Sequence, residues 1–210
     1  MIELARANPA FRPVIETALT GAPDAILLVE FSGEDRTALL KQLAALVDLM
    51  ADLGLACTMF QPFRDLEGLP DAQRVRAFDR LERKFDTMQE LGADLLLVCS
   101  SCSPLAEADR GRMLADLAEA GERAARRGLR IGYEALAWGR HVNDHREAWS
   151  LVRDVDHPAL GLVLDSFHSL ARRIPSSSIG DIRADKLFIV QVADAPILQM
   201  DHLGWSRHFR

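Results

Sequence analysis

A chain of 210 residues with 49% hydrophobic side chains and a mean hydropathy of −0.01 has the balance of a globular protein with one sizeable core. Its formal charge of −6, from 25 basic and 31 acidic residues, disfavours nucleic acid as a partner, because neutralising phosphate needs a basic surface. No stretch is long and apolar enough to span a bilayer, and the opening MIELARANPAFRP, charged and with two prolines, lacks the apolar core of an export signal, so the reading is cytoplasmic.

In chain order, short apolar runs alternate with longer helical patterns in one direction, the pattern of repeated βα units and a parallel sheet. The first strand candidate is AILLVEF (25–31), followed by a helix over DRTALLKQLAALVDLMADLG, where apolar residues recur at three and four and a glycine ends the run. LACTMF (55–60) is the second strand candidate, and FQPFRD then puts Arg64 in the loop beyond it. A helix ending MQELG leads into the third strand candidate, DLLLVCS (94–100). Cys99 and Cys102 make a C-x-x-C after that strand, but no second pair completes a zinc site. The odd total of three cysteines argues against a disulfide framework, so the thiols read as structural and the compartment as reducing.

The helix RMLADLAEAGERAARRG precedes RIGYE (130–134), and LGLVLD (160–165) and KLFIVQVAD (186–194) complete the strand candidates. Between the fourth and fifth, HVNDH sets His141 and His145 at i, i+4 without the glutamate of H-E-x-x-H, which reads as a rim-adjacent His141 and a surface His145. RRIPSSSIGDI is the most loop-like interior stretch. The terminal WSRHFR groups Arg207, His208 and Arg210 around Ser206.

Six βα-type units give an α/β fold class, an incomplete (β/α)8 TIM barrel, since a closed barrel needs eight units and about 250 residues. All 210 residues are expected to form one partial-barrel domain. An open parallel edge in such a sheet favours self-association.

In a parallel α/β sheet, loops and helix N-termini converge at the carboxyl ends of the strands, so chemistry collects there. The fourth strand candidate ends in Glu134, the fifth in Asp165, and the sixth carries Gln191. Each gap is close to one βα repeat, which predicts that the three side chains project from adjacent strands at one height. Two carboxylates and an amide oxygen form a pocket suited to a hard or borderline divalent cation such as Mg²⁺ or Mn²⁺. Taken singly, each acid could instead cap a following helix or pair with a surface arginine. His168, just past Asp165, overhangs the same rim as an acid/base candidate. Arg64, Ser206 and Arg210 are candidates for holding a substrate carboxylate or phosphate.

At these residues the sequence resembles the xylose isomerase-like TIM-barrel superfamily. Within it, FQPFRD, ERKFDTMQELGADLLLVCS, GYEALAWGRHVNDHREAW, LGLVLDSFHSLA and VQVADAP through WSRHFR are similar to bacterial 3-dehydroshikimate dehydratases, over roughly residues 50–210. Residues 1–50 depart from that pattern and resemble a segment of an FAD-linked oxidase, retaining a strand and helix that can serve as an atypical first βα unit; without a flavin-binding motif, no flavin is implied. The resemblance implies a lyase that dehydrates 3-dehydroshikimate to protocatechuate with Mg²⁺, Mn²⁺ or Co²⁺. It implies a metal held by Glu134, Asp165 and Gln191, with a fourth glutamate from a later strand that has no counterpart before the chain stops at HFR. The expectation is therefore a truncated copy with weak or no turnover, in which His168 and Glu134 handle protons and Arg64, Ser206 and Arg210 hold the substrate. Two alternatives stay open: a sugar or hydroxy-acid isomerase or epimerase on the same fold, and a non-catalytic fragment or binding module.

Overall fold

The computed structural model describes residues 34–193, so the strand expected at 25–31 lies outside the described residues, as does WSRHFR. In chain order the elements are α1 (Arg36–Leu53), β1 (Phe60–Phe63), α2 (Asp71–Leu91), β2 (Leu95–Cys99), α3 (Arg110–Arg126), β3 (Arg130–Glu134), α4 (His145–Val155), β4 (Leu160–Asp165) and α5 (Ser166–Ala171). Two 3₁₀ turns, Ser176–Asp181 and Ala184–Lys186, lead into β5 (Leu187–Gln191). The five strands are all parallel and lie side by side in chain order. Sequential parallel strands joined by helices form an arc of the barrel architecture.

Two apolar layers flank the sheet, because successive side chains alternate faces. Leu96, Val98, Ile131, Tyr133, Leu160 and Leu162 pack outward against residues such as Phe78, Leu81 and Phe85 of α2, Leu117 of α3 and Trp149 of α4. Leu97, Cys99 and Val163 point to the other face, where Leu136, Ala137 and Trp138 join them. Burial on both faces is why β2 and β4 read as continuous apolar runs. The glycines expected to end α1 and α2 do so: Gly54 and Gly92 take the left-handed conformation and close the helix ends with backbone hydrogen bonds.

β3 and β4 coincide with the expected RIGYE and LGLVLD. The second strand does not: the pairing segment is Phe60–Phe63, not 55–60. Pro62 lies within it, but β1 borders the described sheet on one side, and an edge strand tolerates the missing N–H.

β5 contains the second departure from a regular ladder. Leu162 pairs with Leu187, but Val163 pairs with Ile189, so Phe188 is an extra residue on β5. Its ring packs where a Cβ on Gly161 would lie 2.6 Å from three ring carbons, and Arg130 covers it with its guanidinium carbon 5.1 Å from the ring centroid. The shift brings Gln191, rather than Val190, opposite Asp165. Gly161→Ala is expected to force Phe188 out of place and destabilise the fold by about 1–3 kcal/mol, the usual cost of overpacking. Chemical denaturation of the two proteins checks this, and equal midpoints would refute the packing account.

Candidate functional site

The carboxyl ends of the strands gather most of the polar residues singled out in the sequence. Glu134 is the last residue of β3 and only 4% exposed. Continuing the β3–β4 register would place it opposite Val163, so Asp165 stands two residues further along β4 rather than level with Glu134. An offset of two keeps both side chains on one face. Oxygen atoms of Glu134 and Asp165 and a ring nitrogen of His168 all lie within 4.8 Å of one another. Gln191 is directly opposite Asp165 in the ladder and shares that face.

Asp165 resolves the choice between helix cap and site residue by occupying both positions. Its Oδ1 accepts the Phe167 N–H at 2.8 Å, which starts α5. That cap does not use Oδ2. Burial raises its pKa, opposed by the Phe167 hydrogen bond.

Glu134 is held by weaker contacts. The Cys99 thiol donates to its Oε2 across 3.7 Å, His168 Nε2 is 3.9 Å away, and its buried Oε1 has no hydrogen-bond partner among the described residues. Burial, with the Asp165 charge adding to it, pushes its pKa up to about 8, against the lowering influence of Cys99 and Arg64. A buried, partly unsatisfied carboxylate beside a second carboxylate is costly alone and well suited to a cation. The donor set therefore fits a divalent metal, with carboxylate oxygens from β3 and β4.

His168 is buried, and its ring meets Trp138 and Phe167 edge-on at centroid distances of 5.1 and 5.3 Å. Its Nδ1 accepts the Ala137 N–H at 3.1 Å, which assigns the hydrogen of the neutral ring to Nε2, the nitrogen facing Glu134. Burial lowers its pKa to about 4, so the ring is neutral near pH 7. A neutral Nε2–H ring is set to donate toward the cluster, not to ligate through that nitrogen.

The β1–α2 loop forms the next part of the rim. Arg64 is exposed, and its charge reaches Glu134 and Cys99. Arg80 donates from Nη2 to the carbonyls of both Arg64 and Asp65, each at 3.0 Å, which fixes the backbone carrying Arg64. Ser206 and Arg210, the other expected substrate contacts, lie outside the described residues, with Arg207 and His208. The thiols read as structural: no disulfide joins Cys57, Cys99 and Cys102, and burial raises the Cys99 pKa well above its usual value.

Two residues near the site escaped the sequence reading. His145, expected at the surface, is 5% exposed and lies between Ser169 of α5 and Ser178. Its position at the start of α4 leaves its ring facing α5, and helical spacing from His141 carried no signal of that. His141 instead contacts the Ala106 carbonyl at 2.8 Å through Nε2 and ties two rim loops together. Glu67, in a charged loop that reads as solvated, is 2% exposed and accepts from the Ser101 N–H and the Tyr133 hydroxyl. Burial raises its pKa to about 7.

Comparison with known proteins agrees with this architecture. A 3-dehydroshikimate dehydratase from Pseudomonas putida is 59% identical over 162 residues, covering 77% of this chain and 26% of the relative, so the chain spans about a quarter of that protein's length. A solved xylose isomerase-like TIM barrel/4-hydroxyphenylpyruvate dioxygenase fusion protein superposes with a TM-score of 0.75 at 57% identity, over 80% of this chain and 27% of that one. The IolI protein, solved with a binding zinc atom, shares the fold at 20% identity and a TM-score of 0.66, over 76% of this chain and 62% of that one. A family model described as a xylose isomerase-like TIM barrel matches residues 15–210, and the chain belongs to that family.

Proposed function

We propose that this chain carries the catalytic face of a divalent-metal-dependent lyase that dehydrates 3-dehydroshikimate to protocatechuate. The observation that carries the reading is the convergence of Glu134, Asp165 and His168 within 4.8 Å, with Gln191 in register beside Asp165. The 59% identity to a dehydratase across this region supports the choice of reaction.

Glu134, Asp165 and Gln191 would hold Mg²⁺, Mn²⁺ or Co²⁺. Such a cation, when bound, acts as a Lewis acid on the substrate carbonyl and stabilises charge at the enolate oxygen. The chain's own groups manage the protons. A Glu134 oxygen left free by the cation takes the proton beside the ketone. His168, with its hydrogen on Nε2 fixed by Ala137, hydrogen-bonds to the departing hydroxyl. Arg64 offers charge-assisted bonds to the substrate carboxylate, and Ser206 and Arg210 are assigned the same task.

The test follows protocatechuate by its ultraviolet absorbance after 3-dehydroshikimate is added with and without Mn²⁺. Metal-dependent appearance of the aromatic product is expected. Metal-independent formation, or conversion to a non-aromatic isomer, would overturn the assignment.

A further inference from the structure

α5 carries His168 and begins at the Asp165 cap, yet it is only six residues long, too short to hold itself as a helix. Its stability must come from attachments. One is the Ala137 pair: Ala137 N–H to His168 Nδ1, and Arg172 Nη1 to the Ala137 carbonyl at 2.9 Å. The other runs through His145, which belongs to α4 and touches none of the residues assigned to the metal.

With a neutral ring, the hydrogen bonds around His145 admit one consistent direction. Ser178 Oγ lies 2.6 Å from the Pro175 carbonyl, to which it can only donate. Its lone pair must then accept from His145 Nε2 at 2.8 Å, so the ring hydrogen sits on Nε2. Nδ1 is left as an acceptor, and Ser169 Oγ donates to it across 2.9 Å, closer than its 3.5 Å approach to the Asp165 carbonyl. The chain runs Ser169, His145, Ser178, Pro175, and each hydroxyl hydrogen and ring nitrogen in it has one partner. The ring thus joins α5 on one side to the turn at 175–178 on the other.

We propose that His145 is a positioning residue, whose neutral imidazole clamps α5 through Ser169 and so holds Asp165 and His168 in the geometry that receives the metal. This rests on the reading of Asp165 as a ligand, and supporting residues of metal ligands carry measurable affinity. The two sides of the ring are separable. Removing the Ser169 hydroxyl releases one of the two attachments of α5, whereas removing the Ser178 hydroxyl leaves the Ser169 bond intact.

The test compares the 210-residue chain with Ser169→Ala, Ser169→Thr, Ser178→Ala and His145→Phe, measuring Co²⁺ affinity by titration calorimetry and amide hydrogen exchange across residues 166–171. Ser169→Ala and His145→Phe are expected to weaken Co²⁺ binding about tenfold and to speed exchange in α5. Ser169→Thr, which restores a hydroxyl, should keep both near the parent, and Ser178→Ala should stay within about twofold of it. Parent-like affinity and exchange in Ser169→Ala and His145→Phe would overturn the clamp. So would an equal loss in Ser178→Ala, or a failure of Ser169→Thr to rescue. If the parent chain itself binds no Co²⁺, the metal reading fails, and the ranking of α5 exchange among the variants alone decides the clamp.

Discussion

Glu134→Gln is expected to weaken divalent-metal binding by about 100-fold or more, at or beyond the top of the 10–100-fold range typical of residues that only support a ligand. The same substitution should stabilise the metal-free protein at alkaline pH. Glu134 is buried, faces Asp165, and has an oxygen with no hydrogen-bond partner among the described residues, so ionising it in the empty fold is unfavourable. A neutral amide of the same shape removes that penalty and also removes the ligand. Function and stability therefore move in opposite directions at one position, as expected where a site is built at a cost to the fold. Calorimetric titration with Mn²⁺, paired with thermal melts in chelator at pH 8.5, checks both halves. Unchanged affinity, or a lower melting temperature in the variant, would contradict them.

Metal-free stability should fall gently from about pH 4.5 to 6.5 and more steeply from there toward pH 8. The sign follows from which state holds more protons. Glu134 and Glu67 keep their protons in the folded chain up to about 8 and about 7, whereas both ionise near 4.5 when unfolded. Each contributes stability that is lost as pH rises through its window. His168 works the other way: it stays neutral in the fold down to about 4 but titrates at 6.5 when unfolded, so its contribution grows with pH up to 6.5 and is constant above. His145, also lowered by burial, adds in the same sense. The histidine slopes only partly offset those of the two carboxyls below pH 6.5, and only the carboxyls remain above it. Each proton contributes a slope of up to about 1.4 kcal/mol per pH unit. A saturating divalent cation favours ionised Glu134 and should remove its share of the decline. Melting temperatures at pH 6.5, 7.5 and 8.5 in chelator and in Co²⁺ provide the comparison; a metal-free protein that becomes more stable across that range would refute the assignment.

The parts of the fold that were legible in the sequence are those governed by local pattern. β4 emerges from LGLVLD because burial on both faces imposes an unbroken apolar run, β3 from the buried Ile131 and Tyr133 of RIGYE, and in each the acid at the end marks the rim. Glu134 and Asp165 share a face because period-two alternation follows from the backbone alone, whereas Gln191 joins them through the extra residue in β5. What stayed hidden depends on fit between distant segments. The extra residue in β5 arises because the Phe188 ring finds space over Gly161, a pairing across 27 positions that no window on either strand contains. The bounds of β1, Phe60–Phe63 rather than 55–60, are likewise set by its pairing with β2.

The site shows the same division. The identity of the acids and of His168 was readable, while the hydrogen position on His168 depends on the Ala137 amide that α5 packs against. His145 looked like a surface residue because its burial is supplied by Ser169 and Ser178, in later elements. Glu67 sits in RDLEG, where charge ordinarily means solvent, and only the Tyr133 hydroxyl from β3 and the Ser101 amide reveal it as an internal group.

In the proposed function, β3, β4 and β5 bring Glu134, Asp165 and Gln191 to one cation. The most direct measurement is anomalous X-ray diffraction from crystals of the chain grown with Mn²⁺. A single strong peak bonded to oxygens of all three side chains is the predicted result. A peak that excludes Asp165, or no ordered manganese at the carboxyl ends of these strands, would contradict it.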